Sequence, residues 1–383
     1  MPRKILFCAT VDYHFQAFHL PQMKWFQEQG WEVHVAASGN IDLEYTDKKF
    51  TIPIARSPFK FSNIQAYKDL KQIIDDNHYS MIHCHTPLGG VITRLAAFGS
   101  RKRRVSHVLY TAHGFHFCHG SPISNWLLYY PVERFLSGYT DTLITINEED
   151  HLLATKRLLA KEIKHVHGVG VNTSKFKALN QKEKKEGRKS LGYSPDGFLL
   201  FYGAEFNKNK NQQLLLKAMA IIIVKRPNTR LLLAGPGSYQ SCDKLAKSLE
   251  IDNYIDFLGM RNDIDTLLPI CDVAVGSSLR EGLPVNIMEA MACQLPVVAT
   301  ENRGHSELIR NDHNGWTVKQ DDPMEFAEMI IQLMDNEGLR IKFGKAGREM
   351  IEEKYSLTRV LQEQTNIYSK YMEEEGAISW AVQ

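Results

Sequence analysis

The chain of 383 residues is long enough for two domains of ordinary size. A hydrophobic share of 43% supports packed cores and excludes a disordered chain, and a net charge of +2 supplies no field for a nucleic-acid partner. Six cysteines without a C-x2-C pair read as reduced structural thiols of a cytoplasmic protein, and no stretch reaches the roughly 18 uncharged apolar residues of a membrane span.

The opening residues Met1 to Thr10 are expected to be a first strand rather than a signal peptide. Their apolar run is short, and Asp12 and His14 follow at once. The first half then alternates. Strands are expected at Ile5–Ala9, Glu32–Ala37, Ser80–His85, Val108–Ala112 and Leu143–Ile146. Helices are expected at Phe18–Glu28, Ile64–Asp76, Gly89–Phe98 and Glu148–Leu159. The charge run Asn180–Lys189 has no apolar face and reads as a solvated linker or frayed helix. A second series follows, with extended segments at Phe198–Tyr202, Thr229–Ala234, Tyr254–Leu258, Val273–Gly276 and Val297–Thr300. Its helices are Gln212–Lys225, Val285–Cys293 and Pro323–Met334. Alternation of this kind means βαβ units and parallel sheets. The expected fold is α/β: two Rossmann-like, doubly wound domains facing a cleft. Their bounds are 1–178 and 190–355, and 356–383 is an amphipathic helical tail carrying Trp380.

The most informative stretch is Glu281-Gly282-Leu283-Pro284-Val285-Asn286-Ile287-Met288-Glu289, a loop running into a helix. Pro284 suits the first helical position, which leaves the N–H groups of Val285 and Asn286 in the first turn. Such a terminus attracts phosphate. Glu281 and Glu289, seven residues between them, are acceptors for sugar hydroxyls. A phosphate on the amides with hydroxylated rings on either side describes a nucleotide-sugar.

The wording EGLPVNIMEAMA resembles the E-x7-E signature of family 4 retaining glycosyltransferases, which have the GT-B fold. YTAHGFHF at 110–117 is similar to stretches of bacterial capsule and exopolysaccharide enzymes within that family. The resemblance implies that Glu281 and His113 act on the donor sugar. It implies that Gly282, Leu283, Val285, Asn286 and Glu289 bind the donor. In Gly203–Asn211, Lys210 matches the lysine that clamps the diphosphate, whereas Glu205 stands where the family carries an arginine. Lys208 and Lys210 are both candidates for the missing cation. Gly235-Pro236-Gly237 resembles the family's glycine turn, Asp263 a position near the base, and Glu301–Leu308 a loop without an assigned role. After the first strand the family's glycine-rich loop is absent, and Asp12 and His14 are candidates to replace its amides by side chain. The tail is expected to return to the first domain.

The resemblance also implies a UDP-sugar donor, often an N-acetylhexosamine, and an undecaprenyl-diphosphate-linked acceptor. Other exopolysaccharide enzymes are possible partners. Arg101–Arg104, with the apolar run Trp126–Pro131, Phe135 and Leu136, suggests peripheral association with the inner membrane face. No cofactor and no protein-bound metal are expected. His113, His116 and His119 lie in a strand-to-loop context that does not fix three ligands on one face, and His83 and His85 receive no role. Two other readings stay open: a UDP-N-acetylglucosamine 2-epimerase, and a non-catalytic nucleotide-sugar-binding protein, which Glu205 favours.

Overall fold

The computed structural model describes residues 3–381, with side chains described up to residue 373. By its contacts the chain forms two compact units. One is Met1–Val169 together with Val360–Gln383, and the other is Gly170–Arg359.

The first unit holds seven parallel strands: β1 (Lys4–Val11), β2 (Glu32–Ser38), β3 (Lys48–Thr51), β4 (Met81–His85), β5 (His107–Ala112), β6 (Thr142–Thr145) and β7 (Glu162–His165). Their order is β3-β2-β1-β4-β5-β6-β7. β4 and β6 are buried end to end, and β1 between its terminal residues, because helices cover both faces, as a parallel sheet requires. The terminal helix Leu357–Ala381 closes one face. Val360, Ile367, Tyr368 and Tyr371 join the core of Ile5, Phe7 and Val33. Gln364 accepts from the Gln22 amide at 2.6 Å, and the Tyr368 hydroxyl meets His83 Nδ1 at 2.9 Å. Trp380 lies outside the described side chains.

The second unit holds six parallel strands: β8 (Phe198–Gly203), β9 (Thr229–Ala234), β10 (Ile255–Gly259), β11 (Val273–Gly276), β12 (Val297–Thr300) and β13 (Gly315–Val318), in the order β10-β9-β8-β11-β12-β13. Both sheets reverse their strand order once, between β1 and β4 and between β8 and β11. Ligand sites of doubly wound sheets form at the carboxyl ends of the two strands flanking such a reversal.

Three details differ from the sequence reading. The run expected as a linker or frayed helix is a capped helix, Gln181–Ser190, inside the second unit. Asn180 and Glu183 form its capping box. Lys184 and Arg188 reach Asp272 at 2.8 and 2.7 Å, and Asp272 also accepts from the Leu199 N–H at the start of β8. The basic residues are thus ligands of a half-buried carboxylate, a tertiary fact that local composition does not carry. Glu301–Leu308, expected as a loop, contains the helix Arg303–Leu308, capped by Asn302. Pro284 is the cap rather than the first helical residue, with ψ at 111°, so the helix starts at Val285.

The amino ends of the first sheet are pinned in the same way. Asp141 accepts from the Val108 N–H and from Arg101. Deeper, Arg94 is fully buried and forks onto Glu133 at 2.5 and 3.0 Å, with its guanidinium 4.0 Å from the Tyr110 ring centre. Removing Arg94 strands a buried carboxylate. Arg94→Met is expected to lower the unfolding free energy by about 3–5 kcal/mol, and adding Glu133→Leu should recover most of that loss. Urea denaturation of both variants beside the parent checks it; equal losses in the two would show that the pair's charge is not what matters.

Candidate functional site

In the second unit the site grows from the loops after β8 and β11. The Asn209 carbonyl accepts from the Leu279 N–H at 2.8 Å, and the Asn209 amide donates to the Arg280 carbonyl at 3.0 Å. Ser277 Oγ donates to the Lys210 carbonyl, and the Tyr202 hydroxyl meets Ser278 Oγ. These bonds bring residues 71 positions apart into contact: Lys210 Nζ lies 2.5 Å from Glu281 Oε1. The pair is largely shielded from solvent. Lys208, the other candidate cation, is exposed, and so is Glu205.

Behind Glu281 stands the helix Arg303–Leu308, to which the sequence reading attached no role. Arg303 Nε donates to the Glu281 carbonyl at 3.1 Å. A Cβ on Gly304 would stand 2.8 Å from the Cβ of Glu281, so only glycine lets the helix approach this closely. Buried His305 meets the Thr300 carbonyl through Nδ1 at 2.6 Å. The signal available beforehand was Asn302 as a helix cap, whose side chain accepts from the His305 N–H.

The helix Val285–Ala292 leaves the N–H groups of its first turn without intrahelical partners, as every helix does. Asn286 and Glu289 from this helix, with Glu205, Gly235, Arg261 and Met260, line a cavity of about 210 Å³. Gly235 has φ at 154°, and a Cβ there would fall 2.0 Å from the Ala204 carbonyl oxygen. The glycine turn therefore lets the loops after β8 and β9 touch. Asp263 is held by Arg261 at 2.6 and 2.8 Å. Leu283 is buried and Gly282 half-buried.

In the first unit His113 follows β5, and His14 lies on the short helix Tyr13–Phe18 directly after β1, their rings 4.7 Å apart. His19 and His85 stand beside them. Asp12 is buried and turned elsewhere. It accepts from the Ile41 N–H at 2.8 Å and from Lys49 Nζ at 2.7 Å. Burial raises its pKa, but Lys49 and the Ile41 amide outweigh burial and hold it below the usual carboxylate range. His116 stacks on Tyr129, and the exposed His119 offers its N–H to Glu149.

Glu289 is kept at an energetic cost. Desolvation pushes its carboxyl from 4.5 up to about 7; Lys175 opposes the shift and Asp265 adds to it. A carboxyl raised in the folded state weakens the fold once the unfolded chain ionises, so the loss grows from pH 4.5 and is complete above pH 7. Glu289→Gln is therefore expected to raise stability at pH 8 by on the order of 3 kcal/mol and to leave it unchanged at pH 4. Melting curves at the two pH values check it; an equal shift at both would refute it.

Comparison with known proteins agrees with this geometry. The family described as "Glycosyl transferases group 1" matches residues 183–350, and "Glycosyl transferase 4-like" matches residues 4–147. EpsD of Bacillus subtilis (strain 168), provisionally named a glycosyltransferase, is 49% identical over 97% of this chain and 98% of its own length. An Escherichia coli protein named UDP-Gal:alpha-D-GlcNAc-diphosphoundecaprenol alpha-1,3-galactosyltransferase is 29% identical over 80% of this chain and 81% of its own. Among solved structures, Anabaena Alr3699/HepE in complex with UDP has a TM-score of 0.78 at 18% identity, covering 96% of this chain and 100% of that one. Both sheets, both family matches and a half-identical relative of full length agree: the chain belongs to the glycosyltransferases of family 4, with the GT-B fold.

Proposed function

We propose that this enzyme moves a sugar, an N-acetylhexosamine, from a UDP-sugar to an undecaprenyl-diphosphate-linked acceptor, with retention of anomeric configuration, in the synthesis of an exopolysaccharide such as a biofilm matrix. The observation that carries the reading is the Lys210–Glu281 contact at the β8/β11 reversal, with Glu289 on the helix that follows. The lipid acceptor is supported by the name of the Escherichia coli relative.

In this reading the diphosphate sits on the amides at the start of helix Val285–Ala292. It takes over Lys210, which now neutralises Glu281. Glu281 is then released to accept from hydroxyls of the donor sugar. Lys210 and the amides carry the charge of the leaving diphosphate, which is the electrostatic part of the catalysis. This leaving-group chemistry asks nothing of a metal. Glu289 accepts from the ribose hydroxyls in the cavity it shares with Glu205, and His113 keeps the sugar-contacting role that the family resemblance implies.

Lipid substrates call for a surface to meet them. Helix Ile123–Ser137 exposes Ile123, Leu127, Leu128, Val132 and Phe135 at helical spacing. Phe135 and Phe98 both pack on Tyr139, at 5.1 and 4.8 Å, which joins this stripe to helix Pro87–Lys102. Of the basic cluster there, Arg101 is paired with Asp141 and Arg103 with Asp75, while Lys102 and Arg104 are exposed. An apolar stripe beside exposed cations fits the anionic inner face of the membrane. No described helix is long and apolar enough to cross it.

Two experiments test the reading. With UDP-N-acetylhexosamines and a polyprenyl-diphosphate-linked sugar, NMR of the product is expected to show the donor's configuration kept. Glu281→Ala and His113→Ala should lower kcat about 100-fold or more, while neither weakens UDP binding, Glu281→Ala because it frees Lys210 for the diphosphate. Inversion would refute the mechanism, epimerised donor would favour the epimerase, and binding without turnover would favour the non-catalytic alternative. In vesicle sedimentation, Leu127→Ser with Phe135→Ser, and separately Lys102→Ser with Arg104→Ser, should each reduce binding to anionic vesicles and spare UDP binding. Sedimentation equal to the parent would remove the lipid face.

A further inference from the structure

Four histidines converge at the β1/β4 reversal of the first sheet. His14 and His19 come from the segment after β1, His85 ends β4, and His113 follows β5. One ring nitrogen from each lies within 4.8 Å of the other three. His14 Nε2 and His19 Nε2 are 3.1 Å apart, and His85 Nδ1 and His113 Nε2 are 3.4 Å apart. In a tetrahedral zinc–imidazole site, bonds of 2.0–2.1 Å set the nitrogen–nitrogen edges at about 3.3–3.4 Å. Two edges of that tetrahedron are thus already close to length. The other edges are at most 4.8 Å, and His14 and His113 are partly exposed.

We propose that His14, His19, His85 and His113 bind one transition-metal ion, Zn²⁺ by ligand chemistry. The set is four imidazoles with no carboxylate or thiolate, which suits borderline ions such as zinc rather than magnesium or calcium. This departs from the expectation of a metal-free protein, and of the His113, His116, His119 run it uses His113 alone.

Two further observations point to a ligand. Wholly buried His85 turns Nδ1 toward the His113 ring at 3.4 Å, beyond the usual hydrogen-bond range, and not toward a hydroxyl or carbonyl. The neighbouring His83 shows how the fold treats a structural histidine: Nε2 meets Thr111 Oγ1 at 2.8 Å and Nδ1 meets the Tyr368 hydroxyl at 2.9 Å. Directly after His85, Thr86 adopts φ 63° and ψ 148°, a region that a β-branched residue almost never enters. The Thr10 N–H and hydroxyl bond to Thr86 Oγ1 and hold it there. Such strain gathers where a site over-determines the backbone.

The ion would tie together the segments after β1, β4 and β5. Its bond to His113 Nε2 would place the ring proton on Nδ1, leaving a fixed donor for a sugar hydroxyl. That last consequence rests on the function proposed above; the metal site does not.

Titration of the EDTA-treated, dialysed full chain with Co²⁺ and Zn²⁺ tests the proposal. One equivalent is expected, with the intense visible bands of four-coordinate Co²⁺, displaced by Zn²⁺. His19→Gln and His85→Gln should each weaken binding at least about 100-fold, whereas His116→Gln and His119→Gln should leave it unchanged. Should either buried variant fail to fold, His14→Gln, at a partly exposed position, must weaken binding likewise. Less than one equivalent in the parent, a weak six-coordinate spectrum, or undiminished binding by the cluster variants would overturn it. The readout is metal content and spectrum, so failure of the sugar-transfer assay leaves it intact.

Discussion

Reversal of strand order is the constraint on which both units depend. A parallel sheet must be covered on both faces, so each strand is followed by a helix that crosses one face or the other. Where the winding direction changes, neighbouring strands send their chains to opposite faces, and the loops at their carboxyl ends part. At β8 and β11 the parted loops hold Lys210 and Glu281. At β1 and β4 they hold His14, His19 and His85, with His113 from the next strand.

Carboxylates at the two edges of the sheets have different fates. At the amino edge Asp141 and Asp272 are met by arginine and by a strand N–H, so they serve as fasteners. Glu133, inside the first unit, is closed off by the fork of Arg94. At the carboxyl edge Glu289 is held in a partly desolvated cavity with its proton affinity raised, a state that opposes folding and that packing elsewhere must offset. Perturbed groups of this kind gather at functional sites because ligand binding, not folding, selects them. His83 and His85, two residues apart on one strand and on one side of it, make the same contrast: one has both nitrogens bonded, the other has a nitrogen without a partner.

Local pattern was enough for much of this. Hydrophobic alternation marks the central strands of both sheets, because strands buried on both faces are continuous apolar runs. The wording from Glu281 to Glu289 marks a strand, loop and helix start whatever surrounds it, since caps and helix amides are local features. The short edge strands Lys48–Thr51 and Glu162–His165 lack that apolar run and were not legible, nor was Gly315–Val318. Asn180–Lys189 shows the limit most clearly. Its charges look solvated in the sequence, and only the approach of Asp272, 84 positions from Arg188, turns two of them into buried partners.

The sequence by itself determined the class of fold, the family and the residue types at the candidate site, because these rest on periodicity and on a contiguous motif. Tertiary structure decided which of Lys208 and Lys210 meets Glu281, why Gly304 and Arg303 stand behind it, and where Asp12 turns its charge. It alone collected four histidines from three loops. Each of these depends on distance between segments remote in the chain, and strand order, which no local pattern encodes, sets that distance.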